Sequence, residues 1–489
     1  MSAEIKITPK LQTDLFINGA FVPAQSGKRF ATVNPATGET IAEVAEAGAA
    51  DLDAAVAAAR EAFASGPWAA MKPRQRGRIL TRAAELLLAR AEEFGHVETL
   101  DNGKPIFESA KIDVPAAAEC LAYFGEYADK FYGDTFPGRP DAFLLTLREP
   151  VGVVGAITPW NFPLLQAMWK IAPALALGNT MVLKPASVTP LTSLLFAELL
   201  QQAGLPPGAF NVVPGPGAVI GQAMAQHAGI DKISFTGETE TGKSILRAAA
   251  GTVKRVSMEL GGKSPNIVFA DADLDAAAKG AINGIFYGKG ELCSAGSRLL
   301  VEESVHDALM EKIVDRAQKM SPGDPLNPKT RLGSLVSEKQ RETVARYVES
   351  GKMEGARLVA GGKSASVNGK GAFFEATVFD GVTPGMTIAR EEIFGPVLAT
   401  LSFPDEGEAV ALGNATIYGL AAAVWTRDIK KALRTAKALK AGTVWINAYN
   451  FYDPGLPFGG YKESGFGRER GHYALQEYTQ VKSIWIDLT

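Results

Sequence analysis

The first candidate for chemistry is Cys293, because a thiolate attacks carbonyl carbon readily and water can open the thioester that results. It lies in residues 288–298, Gly-Lys-Gly-Glu-Leu-Cys-Ser-Ala-Gly-Ser-Arg, where three glycines allow the backbone to bring the thiol close to a substrate. The other cysteine, Cys120, has no such setting and is predicted to be a packing residue. Cys293 is therefore a candidate nucleophile, and an inert buried thiol is the alternative.

Glu259 and Asn161 are candidates for acid–base and hydrogen-bond roles. Glu259 lies between Met258 and Leu260, and two glycines follow, so we expect its carboxyl group at the end of an apolar strand. Desolvation there raises a carboxyl pKa toward the range of a general base, although an ion-paired surface glutamate would have the same sequence signature. Asn161 follows a predicted strand, where its amide could donate to an oxyanion or could hold its own turn.

A phosphate-binding signal begins at Gly237 and is ambiguous. The interval between Gly237 and Gly242 is too wide for the dinucleotide fingerprint, but with Lys243 and Ser244 these glycines spell the P-loop string. Residues 267–271 could be read as the accompanying Walker B strand. A nucleotide hydrolase and a dinucleotide site both remain open at this point.

Three further side chains bear on that choice. Glu238 and Glu240 lie inside the loop, where two carboxylates are unfavourable for a triphosphate. Backbone amides at the start of the following helix could hold a pyrophosphate under either interpretation. Lys184 ends another predicted strand, which is a good position for contact with a ribose hydroxyl or a phosphate.

The elements that must position these residues alternate between apolar strands and helices, which predicts parallel strands and an α/β fold. One series has strands at 151–157, 181–183, 210–213 and 233–235, with helices at 191–203 and 218–227. A second series has strands at 267–269, 299–301, 398–403, 421–425 and 443–446, with a helix at 305–320. Two doubly wound, Rossmann-like lobes are therefore predicted. Segments 142–147 and 481–486 are strand-like but fit neither lobe, and their edges would be open unless they pair with each other or with another subunit.

Composition excludes several classes of protein. The chain has 489 residues and a net charge of −3, so it has no basic field for nucleic acid. No apolar run has membrane-spanning length and no signal pattern begins the chain, which predicts a cytoplasmic location. Two cysteines and four scattered histidines provide neither a disulfide framework nor a metal site.

Seven short motifs occur in the order typical of the aldehyde dehydrogenase superfamily, which the chain resembles along nearly its whole length. They are Glu98-Thr-Leu-Asp-Asn-Gly-Lys-Pro105, Pro159-Trp-Asn-Phe-Pro163, Phe235-Thr-Gly237, Glu259-Leu-Gly-Gly-Lys263, the Cys293 segment, Glu391-Glu-Ile-Phe-Gly-Pro-Val397 and Pro457-Phe-Gly-Gly-Tyr-Lys-Glu-Ser-Gly465. The resemblance implies oxidation of an aldehyde to a carboxylic acid with hydride transfer to NAD or NADP. It makes the P-loop string a coincidence within the cofactor loop.

The resemblance also implies a role for each residue. Cys293 would be the nucleophile, Glu259 the general base, and Asn161 with the Cys293 N–H the oxyanion hole. The cofactor site would comprise Thr158, Pro159, Trp160, Lys184, Ser187, Gly217, Phe235, Thr236, Gly237, Gly242, Leu260, Glu392 and Phe394. The substrate pocket would comprise Phe162, Gln166, Trp169, Leu292, Ser294, Tyr452 and Phe458.

The implied architecture assigns residues 1–126 and 148–258 to the cofactor-binding domain and 259–470 to the catalytic domain. Residues 127–147 and 471–489 would form a small β oligomerisation flap of a homodimer or homotetramer. No membrane or nucleic-acid partner is implied.

Three residues depart from the common family pattern. Glu238 and Glu291 occupy positions where Ser and Gln are frequent, which adds charge near the pyrophosphate and the thiol. Ser187 occupies a position that is often acidic in NAD-preferring members, so we expect NADP to be accepted.

The residues assigned to the pocket also predict a substrate. None of them carries a positive charge, so apolar aliphatic or aromatic aldehydes are expected first. Cationic aldehydes such as betaine aldehyde come second, held by aromatic faces, Glu291 and Asp453. Succinate semialdehyde is expected last.

Other functions are the alternatives. An acylating dehydrogenase would transfer the acyl group to coenzyme A, but members of that kind lack the general-base glutamate. A P-loop hydrolase or a non-catalytic protein on the same fold leaves Cys293, Glu259 and Asn161 together unexplained.

Overall fold

The computed structural model describes residues 10–489. The strands of this part of the chain are β1 (Leu15–Ile17), β2 (Ala20–Val22), β3 (Arg29–Val33), β4 (Thr40–Ala45), β5 (Thr135–Phe136), β6 (Ala142–Pro150), β7 (Val153–Ile157), β8 (Thr180–Lys184), β9 (Phe210–Val212), β10 (Lys232–Thr236), β11 (Arg255–Glu259), β12 (Pro265–Val268), β13 (Arg298–Glu302), β14 (Arg357–Ala360), β15 (Ser364–Val367), β16 (Lys370–Phe374), β17 (Thr377–Asp380), β18 (Val397–Phe403), β19 (Ala421–Trp425), β20 (Thr443–Ile446), β21 (Gly465–Phe466) and β22 (Thr479–Asp487).

The helices of the same part are α1 (Ala49–Ala64), α2 (Pro73–Ala89), α3 (Ala91–Asn102), α4 (Ile106–Glu108), α5 (Val114–Tyr127), α6 (Pro163–Ala176), α7 (Leu191–Gln202), α8 (Gln222–Gln226), α9 (Thr239–Ala249), α10 (Leu274–Phe286), α11 (His306–Gln318), α12 (Glu338–Met353), α13 (Thr387–Arg390), α14 (Glu406–Asn414), α15 (Ile429–Ala438) and α16 (Gly471–Glu477).

The first large sheet has the strand order β2-β1-β9-β8-β7-β10-β11-β21. The five central strands run parallel; they are β9, β8, β7, β10 and β11. At the edges of the sheet, β1, β2 and β21 pair antiparallel. Every residue of β7, β8 and β10 is buried, because helices cover both faces of a parallel sheet. The strand order reverses between β7 and β10, which makes a crevice at the carboxyl ends of these strands the expected ligand site.

The second large sheet has the order β14-β17-β18-β13-β12-β19-β20 and is parallel except for β14. The expected α/β class with two parallel-stranded lobes is therefore confirmed. The strands of this sheet are β12, β13 and strands within residues 357–446. The chain therefore passes from the first sheet to the second near residue 260, between β11 and β12. The finer domain bounds given above stay a prediction.

The third sheet has the order β22-β6-β5 and contains both strand-like segments that fit neither lobe. β6 and β22 pair with each other along their whole length, from Thr479 opposite Pro150 to Asp487 opposite Ala142. Of the two pairings considered above, the intramolecular one is therefore present.

The structure refines several local expectations. Residues 217–226 are helical as expected, but the first turn, Gly217–Gly221, is a π-turn that leads into α8. The helix expected at 305–320 is α11, which is shorter at both ends, since a 3₁₀ turn over Glu303–Val305 leads into it. Strands β1 to β4 and β14 to β16 had no sequence prediction, because short strands with mixed burial have weak periodicity. The buried four-residue strand β17 also had no sequence prediction.

None of the helices within residues 10–489 combines the length and apolar character that a bilayer crossing requires. In the same described range, no cluster of three or more His, Cys, Asp or Glu side chains is arranged to hold a metal ion.

Candidate active site

The site lies where the parallel strands of the first sheet end. Ile157 at the end of β7 is paired with Lys184 at the end of β8 and with Phe235 near the end of β10. Thr236 at the end of β10 is paired in turn with Glu259 at the end of β11. Polar side chains that are far apart in the sequence therefore share one sheet edge, at the point where the strand order reverses.

Glu259 is the last residue of β11 and is only 4 % exposed. Its Oε2 has no hydrogen-bond partner among the described residues. Burial raises the pKa of Glu259 well above its ordinary value, the nearby Glu469 raises it further, and Lys170 acts in the opposite direction. The desolvated carboxyl group expected from the sequence is present.

Asn161 follows β7 and is buried. Its Nδ2 donates to the carbonyl oxygen of Glu291 at 2.8 Å, and its Oδ1 accepts from the N–H of Phe162 at 3.1 Å. Since an amide nitrogen carries two hydrogens, one remains to donate toward a substrate oxygen. The Asn161 amide is thereby fixed against the loop that carries the thiol.

Cys293 follows a 3₁₀ turn in which Gly288, Lys289 and Gly290 all have positive φ angles. A Cβ on Gly262 would lie 2.2 Å from the carbonyl oxygen of Cys293, so the loop after Glu259 abuts the thiol loop only because glycine occupies that position. Burial raises the pKa of the Cys293 thiol, and the carboxyl groups of Glu392 and Glu259 raise it further. The thiol therefore requires a nearby base to become a nucleophile.

Cys120 has the environment expected of a packing residue. It is buried in the core of the first lobe, and its Sγ donates to the carbonyl oxygen of Met168. Burial raises the pKa of its thiol to about 12.

Glu291 adds less charge at the thiol than the sequence suggested. Its carboxylate forms an ion pair with Lys289 at 2.7 Å, and both side chains are almost completely buried. Lys289 Nζ also donates to the carbonyl and side-chain oxygens of Asn102. Asn102 in turn donates to the carbonyl oxygen of Trp160 at 2.7 Å, so the pair connects the thiol loop to the Asn161 loop.

Two buried residues behind Glu259 were missed by the sequence analysis. Lys170 on α6 donates to Thr236 Oγ1 at 2.7 Å and to a carboxylate oxygen of Glu469. The backbones of Glu469 and Phe458 form two hydrogen bonds with each other, which hold the second segment in position. The signal that could have found them is Lys170 itself, because a lysine inside an otherwise apolar helix requires a buried partner.

The cleft beside Glu259 has features that suit a dinucleotide. Thr158 Oγ1 is buried and finds no partner in the part of the chain that the structure describes. Lys184 Nζ is held only by the carbonyl oxygen of Pro185, and burial lowers the pKa of Lys184 to about 8. These groups could hold the ribose hydroxyls or phosphates of a dinucleotide.

The loop between β10 and α9 has the strand-to-helix context expected of a phosphate site. A Cβ on Gly242 would lie 2.5 Å from the Leu260 side chain, so glycine permits the close packing of α9 on the strand edge. Glu238 is exposed and interacts with Thr241 Oγ1. Its carboxylate therefore lies at the rim of the cleft rather than inside it.

The P-loop interpretation does not survive this geometry. Lys243 forms ion pairs with Glu240 and Glu463 and does not point into the loop. Residues 267 and 268 end β12 of the second sheet and residues 269–271 follow it, whereas the string follows β10 of the first sheet. The two halves of a nucleotide hydrolase site are therefore not adjacent strands.

Glu392 and Phe394 approach the cleft from the second lobe. Glu392 Oε1 accepts from the N–H of Gly262 at 2.9 Å, and burial raises the pKa of Glu392 to about 7. A Cβ on Gly261 would lie 2.1 Å from Glu392 Oε2. Phe394 packs edge-on against Trp160 with 5.0 Å between ring centroids, so this side chain contacts the Asn161 loop.

Ser187 and Gly217 lie in the segments that follow β8 and β9, respectively. Ser187 is half-buried and donates to the carbonyl oxygen of Gly215 at 2.8 Å. Gly217 is exposed and begins the π-turn before α8.

Three of the seven expected pocket residues, Trp169, Tyr452 and Phe458, form one aromatic wall next to the thiol loop. The ring centroids of Trp169 and Phe458 are 5.3 Å apart, and those of Tyr452 and Phe458 are 5.9 Å apart. Tyr452 Oη and Ser294 Oγ are hydrogen-bonded at 2.8 Å, which joins the wall to the residue after Cys293. Phe162 stacks on Tyr287 instead, while Leu292 and Gln166 are buried beside the loop.

The expectation of a wall without positive charge was wrong. The guanidinium carbon of Arg470 lies 5.1 Å from the Trp169 ring centroid and 5.3 Å from that of Tyr452. Glu291, proposed as a partner for a cationic substrate, is occupied by Lys289. Arg470 comes from the segment after β21 and could not be assigned to the wall from sequence spacing.

Comparison with known proteins gives one consistent result. The model of the aldehyde dehydrogenase family matches residues 21–484. Retinal dehydrogenase 2 of Mus musculus is 47 % identical over 486 residues, covering 98 % of this chain and 93 % of that protein. An aldehyde dehydrogenase of Enchytraeus buchholzi is 49 % identical over 476 residues, covering 97 % of this chain and 95 % of that protein.

Solved structures agree. The aldehyde dehydrogenase KauB from Pseudomonas aeruginosa superposes with a TM-score of 0.97 at 48 % identity, covering 98 % of this chain and 97 % of that one. The indole-3-acetaldehyde dehydrogenase AldA of P. syringae, in complex with NAD⁺ and IAA, gives 0.97 at 47 % identity and 98 % coverage of both chains.

Proposed function

This chain belongs to the aldehyde dehydrogenase family, and from that premise we propose that Cys293, Glu259 and Asn161 oxidise an aldehyde to its carboxylic acid with NAD or NADP. The observation that carries the proposal is the convergence of three groups at one sheet edge. They are a thiol on a glycine-rich loop, an amide fixed against that loop, and a buried carboxyl group whose pKa is raised.

The first half of the reaction uses the thiol and the oxyanion donors. Loss of the thiol proton to a base gives the Cys293 thiolate, which forms a carbon–sulfur bond with the aldehyde carbon. The carbonyl oxygen becomes an oxyanion, and the free N–H of the Asn161 amide and the backbone N–H of Cys293 donate to it. One such donor lowers the activation barrier by about 3 kcal/mol. When bound, the dinucleotide supplies the hydride acceptor, and the group on Cys293 is then a thioester.

The second half of the reaction uses Glu259. Its carboxylate takes a proton from water, the resulting hydroxide attacks the thioester, and the carbon–sulfur bond breaks to release the acid and the thiolate. A pKa raised by burial suits this transfer, because a stronger base removes the proton of water more readily. Lys170 and Glu469, in contact with each other behind Glu259, set the charge around it.

The choice of cofactor depends on Ser187. A hydroxyl group repels neither a ribose hydroxyl nor a 2′-phosphate, and the ammonium group of Lys184 attracts the phosphate. We infer that NADP is accepted beside NAD.

An apolar aliphatic or aromatic aldehyde is the substrate class that suits the aromatic wall of Trp169, Tyr452 and Phe458. Burial of its tail gains about 25 cal/mol per Å². Cationic aldehydes are disfavoured, since Arg470 lies on this wall and Glu291 is paired.

Assembly into a homodimer or homotetramer through the third sheet is also part of the proposal, and the cytoplasmic location stays a prediction from the sequence.

The experiment is an absorbance assay for reduced nicotinamide with hexanal, benzaldehyde, betaine aldehyde and succinate semialdehyde. Each aldehyde is tested with NAD and with NADP, in the presence and absence of coenzyme A. We expect hexanal and benzaldehyde to be oxidised better than betaine aldehyde, both dinucleotides to be reduced, and coenzyme A to be unnecessary. Turnover that requires coenzyme A, or no turnover with any of the aldehydes, would contradict the proposal.

A further inference from the structure

Arg470 is a buried cation on the aromatic wall of the proposed substrate site. Its guanidinium carbon lies within 5.3 Å of the ring centroids of both Trp169 and Tyr452. Its side chain comes from the loop between β21 and α16, and the residue is only 7 % exposed. Aromatic faces stabilise such a cation but satisfy none of its N–H donors.

The donors of Arg470 have no protein acceptor. Nε is buried without a hydrogen-bond partner, and residues 10–489 provide the guanidinium with neither a hydrogen bond nor a carboxylate within 4 Å. Arg298, which is buried to a similar degree, instead donates to the carbonyl oxygens of Lys263, Leu412 and Gly413. The other buried arginine is therefore fully satisfied, as is usual for buried polar groups, and Arg470 differs.

The charged groups around Arg470 do not compensate it. The Cys120 thiol and the Tyr452 hydroxyl interact with the guanidinium most strongly, and the two acids that also act on it, Asp453 and Glu119, are both exposed. Asp453 Oδ1 accepts from the N–H of Gly455 at 2.8 Å, which engages that carboxylate locally. The wall therefore presents a positive charge whose hydrogen-bonding capacity is free.

The position of Arg470 relative to the thiol is set by Tyr452. Tyr452 Oη is bonded to Ser294, the residue after Cys293, whereas the guanidinium stacks on the Tyr452 ring. The ring thus separates the nucleophile from the cation. A ligand that reaches both must have its aldehyde at one end and its anion at the other, with an apolar spacer along the ring.

We propose that Arg470 binds the carboxylate of a substrate that carries an aldehyde at one end and a carboxylate at the other, joined by an apolar chain. A guanidinium pairs with a carboxylate through two parallel N–H donors, which fixes both the position and the orientation of the substrate. This inference rests on the proposed function and names the substrate class for that site.

The test compares hexanal with adipate semialdehyde, which has the same number of carbons and differs in the terminal carboxylate. The wild type should give the higher kcat/KM for adipate semialdehyde. Arg470→Leu should lower kcat/KM for adipate semialdehyde by about 10- to 100-fold and change hexanal by less than about threefold, because one charge-assisted pair is lost. Arg470→Lys should retain part of the preference, since the charge remains but the two parallel donors do not.

Arg331→Leu is the matched control, because Arg331 stacks on Phe107 at an exposed position outside the site. It should leave the ratio of the two substrates unchanged. Calorimetric titration of adipate into wild-type and Arg470→Leu protein gives a readout without turnover, and only the wild type should bind.

Equal losses for hexanal and adipate semialdehyde in Arg470→Leu would assign Arg470 a purely structural role and overturn the inference. A wild type that prefers hexanal would do the same. A protein that oxidises neither hexanal nor adipate semialdehyde would contradict the proposed function instead. The binding of adipate would then decide the inference by itself.

Discussion

At the scale of single residues, Cys293 and Glu259 have environments that depend on each other. Burial raises the pKa of both groups, and each carboxyl group near the thiol raises the thiol pKa further. Neither group is reactive alone, since a neutral thiol needs a base and a base must be able to hold a proton. Because the two groups lie near each other, the Glu259 carboxyl group can act as the base for the chemistry on Cys293.

The charge of Glu469 sets the pH dependence. Glu469 raises the pKa of Glu259, so Glu469→Gln should lower that pKa. Because Glu259 acts as a base, activity is lost as pH falls through its pKa, and the acidic limb of kcat should therefore move to lower pH in the variant. The measurement is kcat against pH for both proteins, with Glu240→Gln on the surface as the control. An unchanged limb, or one at higher pH, would exclude this electrostatic role.

Ser187 should control the choice between the two dinucleotides. In Ser187→Glu a carboxylate would face the 2′-phosphate of NADP, and like charges that close cost several kcal/mol. The KM for NADP should rise about tenfold or more, and the KM for NAD should change little. Initial rates with both cofactors test this, with Ser187→Gln as an uncharged variant of the same size. Equal changes of both KM values, or a wild type that reduces only NAD, would exclude the assignment.

At the scale of elements, the loops of the site are held by buried polar contacts. The early motif 98–105 does not line the site, but its Asn102 joins the Trp160 carbonyl to Lys289. Lys104 forms buried ion pairs with Glu98 and Asp113 in the same region. These contacts explain how a motif that does not line the site helps to position it, although Asn102 and Lys289 are 187 residues apart.

The buried pair Lys289–Glu291 gives a double-mutant prediction. Lys289→Gln leaves the Glu291 carboxylate buried without its partner, which costs about 3–5 kcal/mol. Since Asn161 is bonded to the Glu291 carbonyl oxygen, kcat should fall with stability. Lys289→Gln combined with Glu291→Gln removes both charges and should recover most of the loss. Denaturant unfolding and kcat of the two single variants and the double variant measure the coupling, and additive losses would contradict it.

The sequence predicts the parallel strands and their polar ends well, because buried apolar runs have a strong signal. Lys170–Glu469 shows the limit, since its partners are 299 residues apart and only the fold brings them together. Arg470 shows the same limit, because no local pattern indicates that a loop after β21 lies against α6. Glu291 was a visible departure, but its neutralisation by Lys289 depends on the positive φ angles of the thiol loop.

At the scale of the whole molecule, the third sheet exposes apolar side chains. Val481 and Trp485 of β22 are 56 % and 62 % exposed, and Phe143 and Leu147 of β6 are also exposed. β22 forms the outer edge of the sheet, with no strand of the described chain on its free side. Such an edge suits pairing with another subunit.

Charges on this sheet should therefore reduce assembly. Val481→Lys with Trp485→Lys should give a smaller species than the wild type in sedimentation or light-scattering measurements, because both side chains lie on the same face of β22. Val253→Lys with Met353→Lys is the matched control, since these residues are highly exposed and lie off the sheet. A monomeric wild type, or equal masses for all three proteins, would exclude the assembly surface.

The division of labour between Cys293 and Glu259 is tested most directly by a pre-steady-state burst of reduced nicotinamide. The enzyme is mixed with hexanal and NAD, both in excess over active sites, and Glu259→Gln is compared with Cys293→Ala. Glu259→Gln should give a burst that approaches one reduced nicotinamide per site, followed by turnover at least about a hundredfold slower than the wild type, because the thioester forms but is not hydrolysed. Cys293→Ala should give neither burst nor turnover. Absence of the burst in Glu259→Gln, or turnover by Cys293→Ala, would contradict the account.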